Sequence, residues 1–177
     1  MHNISIKSLA VAFSAIFISV GALTSEASAV TTAPAAQTEA ASDYPGGMNE
    51  AEWQYCRVPS HVSLCNKASD HADAALAEAQ RRWEGLHNGR GDAFRHCYWN
   101  ARMTRDFGVG TAKGFADRHE QNPDQPAIEK KMDLFNNNVG REVGEASSSY
   151  SDAAERCSYK VRHHRLRVIK DGELVRS

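Results

Sequence analysis

Apolar side chains between residues 48 and 147 recur every three or four positions, which is the spacing of one face of an α-helix. Glycine-rich stretches and an Asn-Pro pair separate these periodic segments, as turns and helix ends do. The predicted helices cover residues 48–56, 63 or 66 to 83, 91 or 92 to 107, 111–121 and 127–147. The apolar seam of the last long helix is formed by four residues: Met132, Phe135, Val139 and Val143.

The pattern changes to two short strands at the C-terminus. Residues 165–170 and 173–176 flank Asp171-Gly172, a dipeptide that readily adopts the positive φ angles of a type I′ turn. The sequence therefore predicts a β-hairpin, which must pack on the helices because an isolated hairpin is only marginally stable. We predict a mainly α fold, a compact helical domain of about four to five helices with disulfides and a short C-terminal β-hairpin.

The N-terminus is typical of an exported protein. Lys7 precedes an uncharged, mostly apolar run that ends at Leu23, and Ala27-Ser28-Ala29 fits a signal peptidase site. The run is about fifteen residues, shorter than the roughly twenty of a transmembrane helix, so no membrane span is expected after cleavage. We predict a signal peptide over 1–29, a flexible linker over 30–47 and a single helical domain over 48–177. The expected location is extracellular or periplasmic.

Charge is unevenly distributed along a chain whose formal net charge is −1. From Arg156 onward there are seven Lys and Arg residues and two acidic residues, whereas residues 30–155 hold thirteen basic and nineteen acidic ones. The basic region that begins near residue 160 could attract a phosphate-bearing partner or anionic lipid. Equally, it could be a solvated surface that complements the acidic body.

Four cysteines lie in the exported part, and an even number in an oxidising compartment favours disulfides. Three pairings are possible. We favour Cys56 with Cys65, which closes a short loop, and Cys97 with Cys157, which ties the central helix to the late segment. A zinc site is the alternative, but no C-x-x-C pair supports it.

A stripe of polar residues lies on helices that are otherwise apolar. Asp92, His96 and Asn100 are four residues apart, and so are Asp133 and Asn137, so each set projects from one helix face. Burying such a stripe is costly without partners or a metal ion, which indicates a site. A divalent metal ion is therefore a candidate cofactor.

Two roles are possible for the histidines of this stripe. His96 could be a general base that Asp92 orients, or a metal ligand with Asp92 as the second ligand. Alternatively, Asp92 is a helix N-cap and His96 is a buried structural residue. His119 and Glu120 are adjacent and diverge by roughly 100° on a helix, so only one should face the site. We favour His119, with Glu120 as a supporting acid or base.

The remaining polar residues have both functional and structural interpretations. Asp133 could bind a metal or polarise a substrate, or pair with Asn137 in a buried contact between helices. Arg95 and Arg141 could hold a phosphate or carboxylate, or pair with neighbouring acidic residues. The candidate catalytic residues are His96, Asp92, His119, Glu120 and Asp133. The candidate substrate-binding residues are Arg95, Asn100, Asn137 and Arg141.

Three runs of this sequence resemble a known family. GDAFRHCYWNARMTRDFG, ADRHE and MDLFNNNVGREVG are similar to an uncharacterised bacterial domain family that shares D-A-x-R-H-x-x-W-x-A, H-E and M-D-x-x-N-N-x-x-G-R motifs. The resemblance covers about residues 75–145. It implies a compact helical domain of exported and toxin-like proteins, without an established activity. The matching positions are Asp92, Arg95, His96, Trp99, His119, Glu120, Asp133, Asn136, Asn137, Gly140 and Arg141.

A looser likeness to secreted bacterial phospholipases A2 rests on the Arg-His pair of a cysteine-bearing helix. Those enzymes follow the histidine with a calcium-binding Asp, where this chain has Cys97. The leading hypothesis is a secreted helical hydrolase, metal-assisted or not, that acts on a phosphodiester or phospholipid. A toxin with an immunity protein as its partner is one version. The alternative is a non-catalytic secreted binding domain in which the motif residues form a buried structural network.

Overall fold

Helix boundaries follow local capping signals in this chain. The structure, a computed structural model, describes residues 44–177, so the predicted signal peptide and most of the predicted linker lie outside the described residues. A 3-10 turn at Pro45–Gly47 precedes six α-helices and two β-strands. These are α1 (Glu50–Cys56), α2 (Val62–Arg82), α3 (Arg90–Phe107), α4 (Val109–His119), α5 (Ala127–Ala146), α6 (Tyr150–Arg162), β1 (Arg167–Lys170) and β2 (Glu173–Arg176).

Two of the predicted boundaries have clear physical causes. Asn49 and Glu52 form a capping box at the start of α1, in which each side chain accepts from the other's backbone N–H. Gly108, with a φ of +79°, ends α3. Gly110 lies inside α4, which begins two residues before the predicted start at residue 111.

Helix α6 lies beyond the last predicted helix, which covers residues 127–147, and it follows directly after the serines at 147–149. One of those serines begins the new helix, since the Ser149 hydroxyl accepts a hydrogen bond from the Asp152 N–H. A buried face follows at helical spacing: Ala153, Ala154, Cys157, Ser158 and Val161. Its small side chains give a weak apolar signal, which explains the omission.

The cap of α6 gives a stability prediction. Ser149→Ala should lower the free energy of unfolding by about 1 kcal/mol, because the Asp152 N–H loses its acceptor. Urea unfolding followed by circular dichroism measures this change. Ser151→Ala, an exposed position in the same helix, should leave the midpoint within experimental error. An equal loss in both variants would contradict the capping role of Ser149.

Helix α3 is the central element and contacts α2, α4, α5, α6 and β1. The contact between α3 and α5 is especially close, because a Cβ added at Gly144 would lie 2.6 Å from the Ala101 carbonyl oxygen. At Gly140 an added Cβ would collide with the Cys97 carbonyl and lie 2.8 Å from the Asn100 Cβ. These two glycines therefore allow α3 and α5 to approach each other closely.

Both predicted disulfides are present. Cys56–Cys65 joins the end of α1 to the first turn of α2, and Cys97–Cys157 joins α3 to α6. No free cysteine remains among the described residues. A zinc site or a thiolate nucleophile built on these sulfurs is therefore ruled out, since each sulfur is already bonded to its partner.

The C-terminal hairpin is also confirmed, and it packs on α5 and α3. Asp171 and Gly172 both have positive φ, at 54° and 79°, as a type I′ turn requires. Asn136 fixes the hairpin, because its amide both donates to the Arg167 carbonyl and accepts from the Arg167 N–H, at 2.9 Å each. Leu166, just before β1, is completely buried.

One predicted core residue lies at the surface. Phe135 is 39% exposed, whereas the other seam residues Met132, Val139 and Val143 are buried. The guanidinium carbon of Arg167 lies 5.0 Å from the centroid of the Phe135 ring, so the ring packs against the hairpin rather than into the core. Within residues 44–177, none of the helices is both long and apolar enough to cross a membrane.

Candidate functional site

A buried polar cluster surrounds His96 where α3, α4 and α5 meet. Asp92 and His96 come from α3, Asp133 and Asn137 from α5, and Glu120 follows directly after α4. None of these five residues is more than 5% exposed. The i and i+4 spacings of the sequence place each pair on one helix face, and the glycines of α5 bring the two faces together.

A chain of hydrogen bonds determines which nitrogen of His96 carries the proton. The carboxylate of Glu120 can only accept, so it takes the Asn137 amide N–H at 2.9 Å. The Asn137 carbonyl oxygen then accepts from the Asn100 amide at 2.7 Å and from His96 Nδ1 at 3.2 Å. Because that oxygen cannot donate, Nδ1 holds the proton and the neutral ring keeps its lone pair on Nε2.

Nε2 of His96 faces two carboxylates and one guanidinium. Asp92 Oδ1 and Asp133 Oδ1 each lie 3.3 Å from it. Arg95 Nη2 lies 2.7 Å from Nε2 and donates to Asp92 Oδ1, also at 2.7 Å. Burial and the Arg95 charge lower the pKa of His96, but the Asp133 and Asp92 carboxylates raise it more, so the net pKa is above its ordinary value.

The two aspartates flanking Nε2 have opposite electrostatic environments. Burial alone would raise the pKa of Asp92, but His96, Arg95 and a hydrogen bond from the Asn88 N–H together hold it well below its usual range. Burial and the nearby carboxylates of Glu120 and Asp92 raise the pKa of Asp133 to about 6, against the opposing effect of His96. Adjacent carboxyl groups with separated pKa values are typical of functional sites.

Asp133 has one oxygen that is satisfied and one that is not. Its Oδ2 accepts from the Gln125 amide at 2.8 Å, and the same amide nitrogen donates to Glu120 at 3.0 Å. Its Oδ1 is buried and has no hydrogen-bond partner. Such an atom is uncommon in folded proteins and indicates that a proton or a cation belongs beside it.

The structure places Glu120 at the cluster and His119 outside it, the reverse of our preference. Helix α4 ends at His119, and Glu120, its C-cap, turns inward and is 1% exposed. The His119 side chain is 41% exposed and pairs with Glu52 at 2.8 Å. Its ring packs edge-on against Trp99, with centroids 5.2 Å apart. The position at which α4 ends decides which of the two adjacent residues faces the cluster, and this position does not follow from sequence spacing alone.

The predicted arginine pair is separated in the structure. Arg95 lies in the cluster, whereas Arg141 reaches it only through Asn100, whose amide oxygen accepts from Arg141 at 3.1 Å. A second bond joins Arg141 to Asn138. Arg141 therefore supports the amide chain, and the two guanidinium groups do not share one anion. Asp92 is not the N-cap of α3, because Gly89 holds that position.

Gln125 is the cluster residue that sequence analysis missed. It lies in the loop between α4 and α5, in the run Asn122 to Pro126, which shows no periodicity. Its amide holds two carboxylates, from Glu120 and Asp133, and so offsets part of their repulsion. The only available signal was its position between the H-E and M-D motifs.

The family comparison agrees with the sequence resemblance. The model of the family described as Domain of unknown function (DUF6973) matches residues 56–165, which run from the end of α1 past the end of α6 and include every residue of the cluster. No solved structure matches the chain. With well over half of its length matched, the chain belongs to the family Domain of unknown function (DUF6973).

Proposed function

We propose that this protein is a secreted hydrolase of phosphate esters and that His96 is its general base. The observation that carries this proposal is the hydrogen bond from Nδ1 to Asn137, which leaves Nε2, between Asp92 and Asp133, as the ring nitrogen that takes up and releases a proton. A base of this kind is oriented by its second nitrogen, as catalytic histidines usually are. The two disulfides support the predicted export.

Arg95 supports a phosphate substrate. Its guanidinium lies against Nε2, and its side chain is 29% exposed, so it joins the buried base to solvent. A planar guanidinium binds two phosphate oxygens at once. In the proposed reaction Nε2 takes one proton from water as the water oxygen bonds to phosphorus. The ester oxygen leaves with the electrons of its bond to phosphorus and receives that proton.

A second candidate is a non-catalytic secreted binding domain. The observation that favours it is the burial of the cluster, in which Asn100, Asn137 and Glu120 form a hydrogen-bonded chain that links three parts of the fold. A fully satisfied buried network can exist purely to fix helix packing. In that case His96 is a structural residue.

The His96→Asn substitution separates these candidates. Asparagine retains a donor near the position of Nδ1, so the bond to Asn137 can persist, while the Nε2 atom is lost. We expect kcat/KM to fall at least about 100-fold, since general-base catalysis contributes that much or more. The assays are hydrolysis of bis-p-nitrophenyl phosphate and of phospholipid vesicles by the full chain with its disulfides formed, with and without divalent ions.

Two further variants make the test specific. His163→Asn changes an exposed histidine that stacks on Tyr159, far along the chain from the cluster, and should retain full activity. His96→Ala removes both nitrogens and should lower the free energy of unfolding by about 1–3 kcal/mol, because Asn137 loses a donor. A parent protein without activity on either substrate, together with a large loss of stability in His96→Asn, would favour the binding domain.

A further inference from the structure

We propose that Asp92, His96 and Asp133 bind one divalent transition-metal ion and that the Arg95 guanidinium competes with this ion for two of the ligand atoms. The proposed ligand atoms are Asp92 Oδ1, His96 Nε2 and Asp133 Oδ1. This inference rests on the proposed hydrolase function and changes one part of it. With the ion bound, Nε2 is a ligand and no longer takes a proton from water, and the ion activates the water in its place.

The ligand spacing matches a tetrahedral ion. Bonds of about 2.0 to 2.1 Å to nitrogen and oxygen place two tetrahedral ligands about 3.4 Å apart. Nε2 of His96 lies 3.3 Å from Asp92 Oδ1 and 3.3 Å from Asp133 Oδ1. Each of the three residues offers one ligand atom within 4.8 Å of those of the other two. A small inward shift of the aspartates would complete the three-ligand face.

The unpartnered oxygen of Asp133 points independently to a ligand. Asp133 is 5% exposed, and its Oδ1 has no hydrogen-bond donor although its Oδ2 is held by Gln125. A buried oxygen atom without a donor costs free energy, which a bound cation would offset. The oxygen that lacks a donor is also the one that faces Nε2.

The surroundings of His96 are those of a metal ligand. Metal-binding histidines usually donate their other N–H to a carbonyl or carboxylate, which fixes the tautomer and the ring orientation. Here Nδ1 donates to the Asn137 carbonyl, and Glu120 holds the amide of Asn137 in turn. This second layer of bonds directs the Nε2 lone pair at the proposed ion.

Arg95 brings a positive charge to two of the proposed ligand atoms. Its Nη2 atom lies 2.7 Å from both Asp92 Oδ1 and His96 Nε2, two of the three proposed ligands. The guanidinium and the ion therefore compete for the same carboxylate and the same lone pair. Because the side chain is 29% exposed, it can swing toward solvent, where it would be free to bind the substrate phosphate.

The donor set indicates the class of ion. One imidazole nitrogen and two carboxylate oxygens at tetrahedral spacing suit Zn²⁺ better than ions that prefer oxygen ligands alone, such as Ca²⁺. Three protein ligands leave a position for water, as in catalytic zinc sites. A bound ion would lower the pKa of that water and supply the hydroxide for the proposed hydrolysis.

Metal binding is tested without any substrate. We would measure Zn²⁺ and Mn²⁺ binding by equilibrium dialysis with elemental analysis, and Mn²⁺ also by electron paramagnetic resonance. The proteins are the full chain with disulfides formed and its Asp133→Asn, Arg95→Gln and Arg102→Gln variants. Arg102 is a matched control, since it lies on α3 but bonds His71 and Tyr98 outside the cluster.

We expect one ion per chain, at least about 10-fold weaker binding in Asp133→Asn, and several-fold tighter binding in Arg95→Gln because the competing cation is gone. Arg102→Gln should bind like the parent.

Absence of binding in both the parent and Arg95→Gln would overturn the site, and so would equal affinity in a folded Asp133→Asn. Equal affinity in Arg95→Gln would overturn the competition. Binding without hydrolysis would retain the metal site and refute the proposed function. Hydrolysis by a protein that binds no ion would retain the proposed function and refute the metal site.

Discussion

Loss of the Cys97–Cys157 disulfide should be among the most destabilising changes in this protein. The double variant Cys97→Ala/Cys157→Ala is expected to lose about 4 kcal/mol of unfolding free energy, because the bridge closes a loop with a sequence separation of 60. In the chain-entropy account, a longer closed loop restricts the unfolded chain more. Both sulfurs are also fully buried, so their removal leaves a gap between α3 and α6.

The second disulfide provides a matched control. Cys56–Cys65 has a sequence separation of 9, so its removal should cost about 3 kcal/mol by the same account. Both cysteines are only half-buried, and little packing is lost with them. Guanidinium unfolding of the two double variants beside the parent gives the comparison. A larger loss from Cys56→Ala/Cys65→Ala would contradict the entropic explanation.

The Gly140→Ala substitution should be nearly as severe. An added Cβ would collide with the backbone carbonyl of Cys97 and lie 2.8 Å from the Asn100 Cβ. A backbone carbonyl cannot rotate away as a side chain can, so α3 and α5 must separate. We expect a loss of about 3 kcal/mol or more in unfolding free energy, measured by chemical denaturation. The same separation would move Asp133 away from His96, so metal affinity and activity should fall together.

Gly110→Ala is the control for this prediction. Gly110 is also helical, in α4, but nothing lies within 4 Å of an added Cβ. Alanine there should leave stability unchanged or raise it by up to about 1 kcal/mol, since alanine favours helix more than glycine does. If Gly140→Ala were as stable as Gly110→Ala, the close approach of α3 and α5 would not hold in solution.

Most of the fold could be predicted from local sequence signals. The spacing of apolar residues predicted five helices, the Asp171-Gly172 pair predicted the hairpin, and the cysteine count predicted the disulfides. Helix α6 was missing from the predicted helices because its buried face consists mainly of small residues, which give a weak apolar signal. Phe135 was misplaced because periodicity identifies an apolar face but does not say whether the core or a docked hairpin covers each member.

The candidate site was predictable in its residue types but not in its connections. Spacing placed Asp92 on one helix face with His96, and Asp133 on another with Asn137. The choice of Glu120 over His119 depended on where α4 ends, and the end of a helix is the part that sequence patterns place least accurately. Gln125 lies in a loop without periodicity, so no sequence pattern could place its amide between two carboxylates.

The sequence by itself determined the helical elements, the hairpin and the polar stripes, because these depend on interactions between residues a few positions apart. Only the tertiary structure decided which atoms of different elements meet: the proton on His96 Nδ1, the unpartnered oxygen of Asp133, and Arg95 beside Nε2. The physical reason is the packing of α3 against α5 through Gly140 and Gly144, which brings charges from distant parts of the chain within 3.3 Å of one another among buried side chains. At that distance and burial, the position of one atom decides whether a group is a base, a ligand or a structural partner.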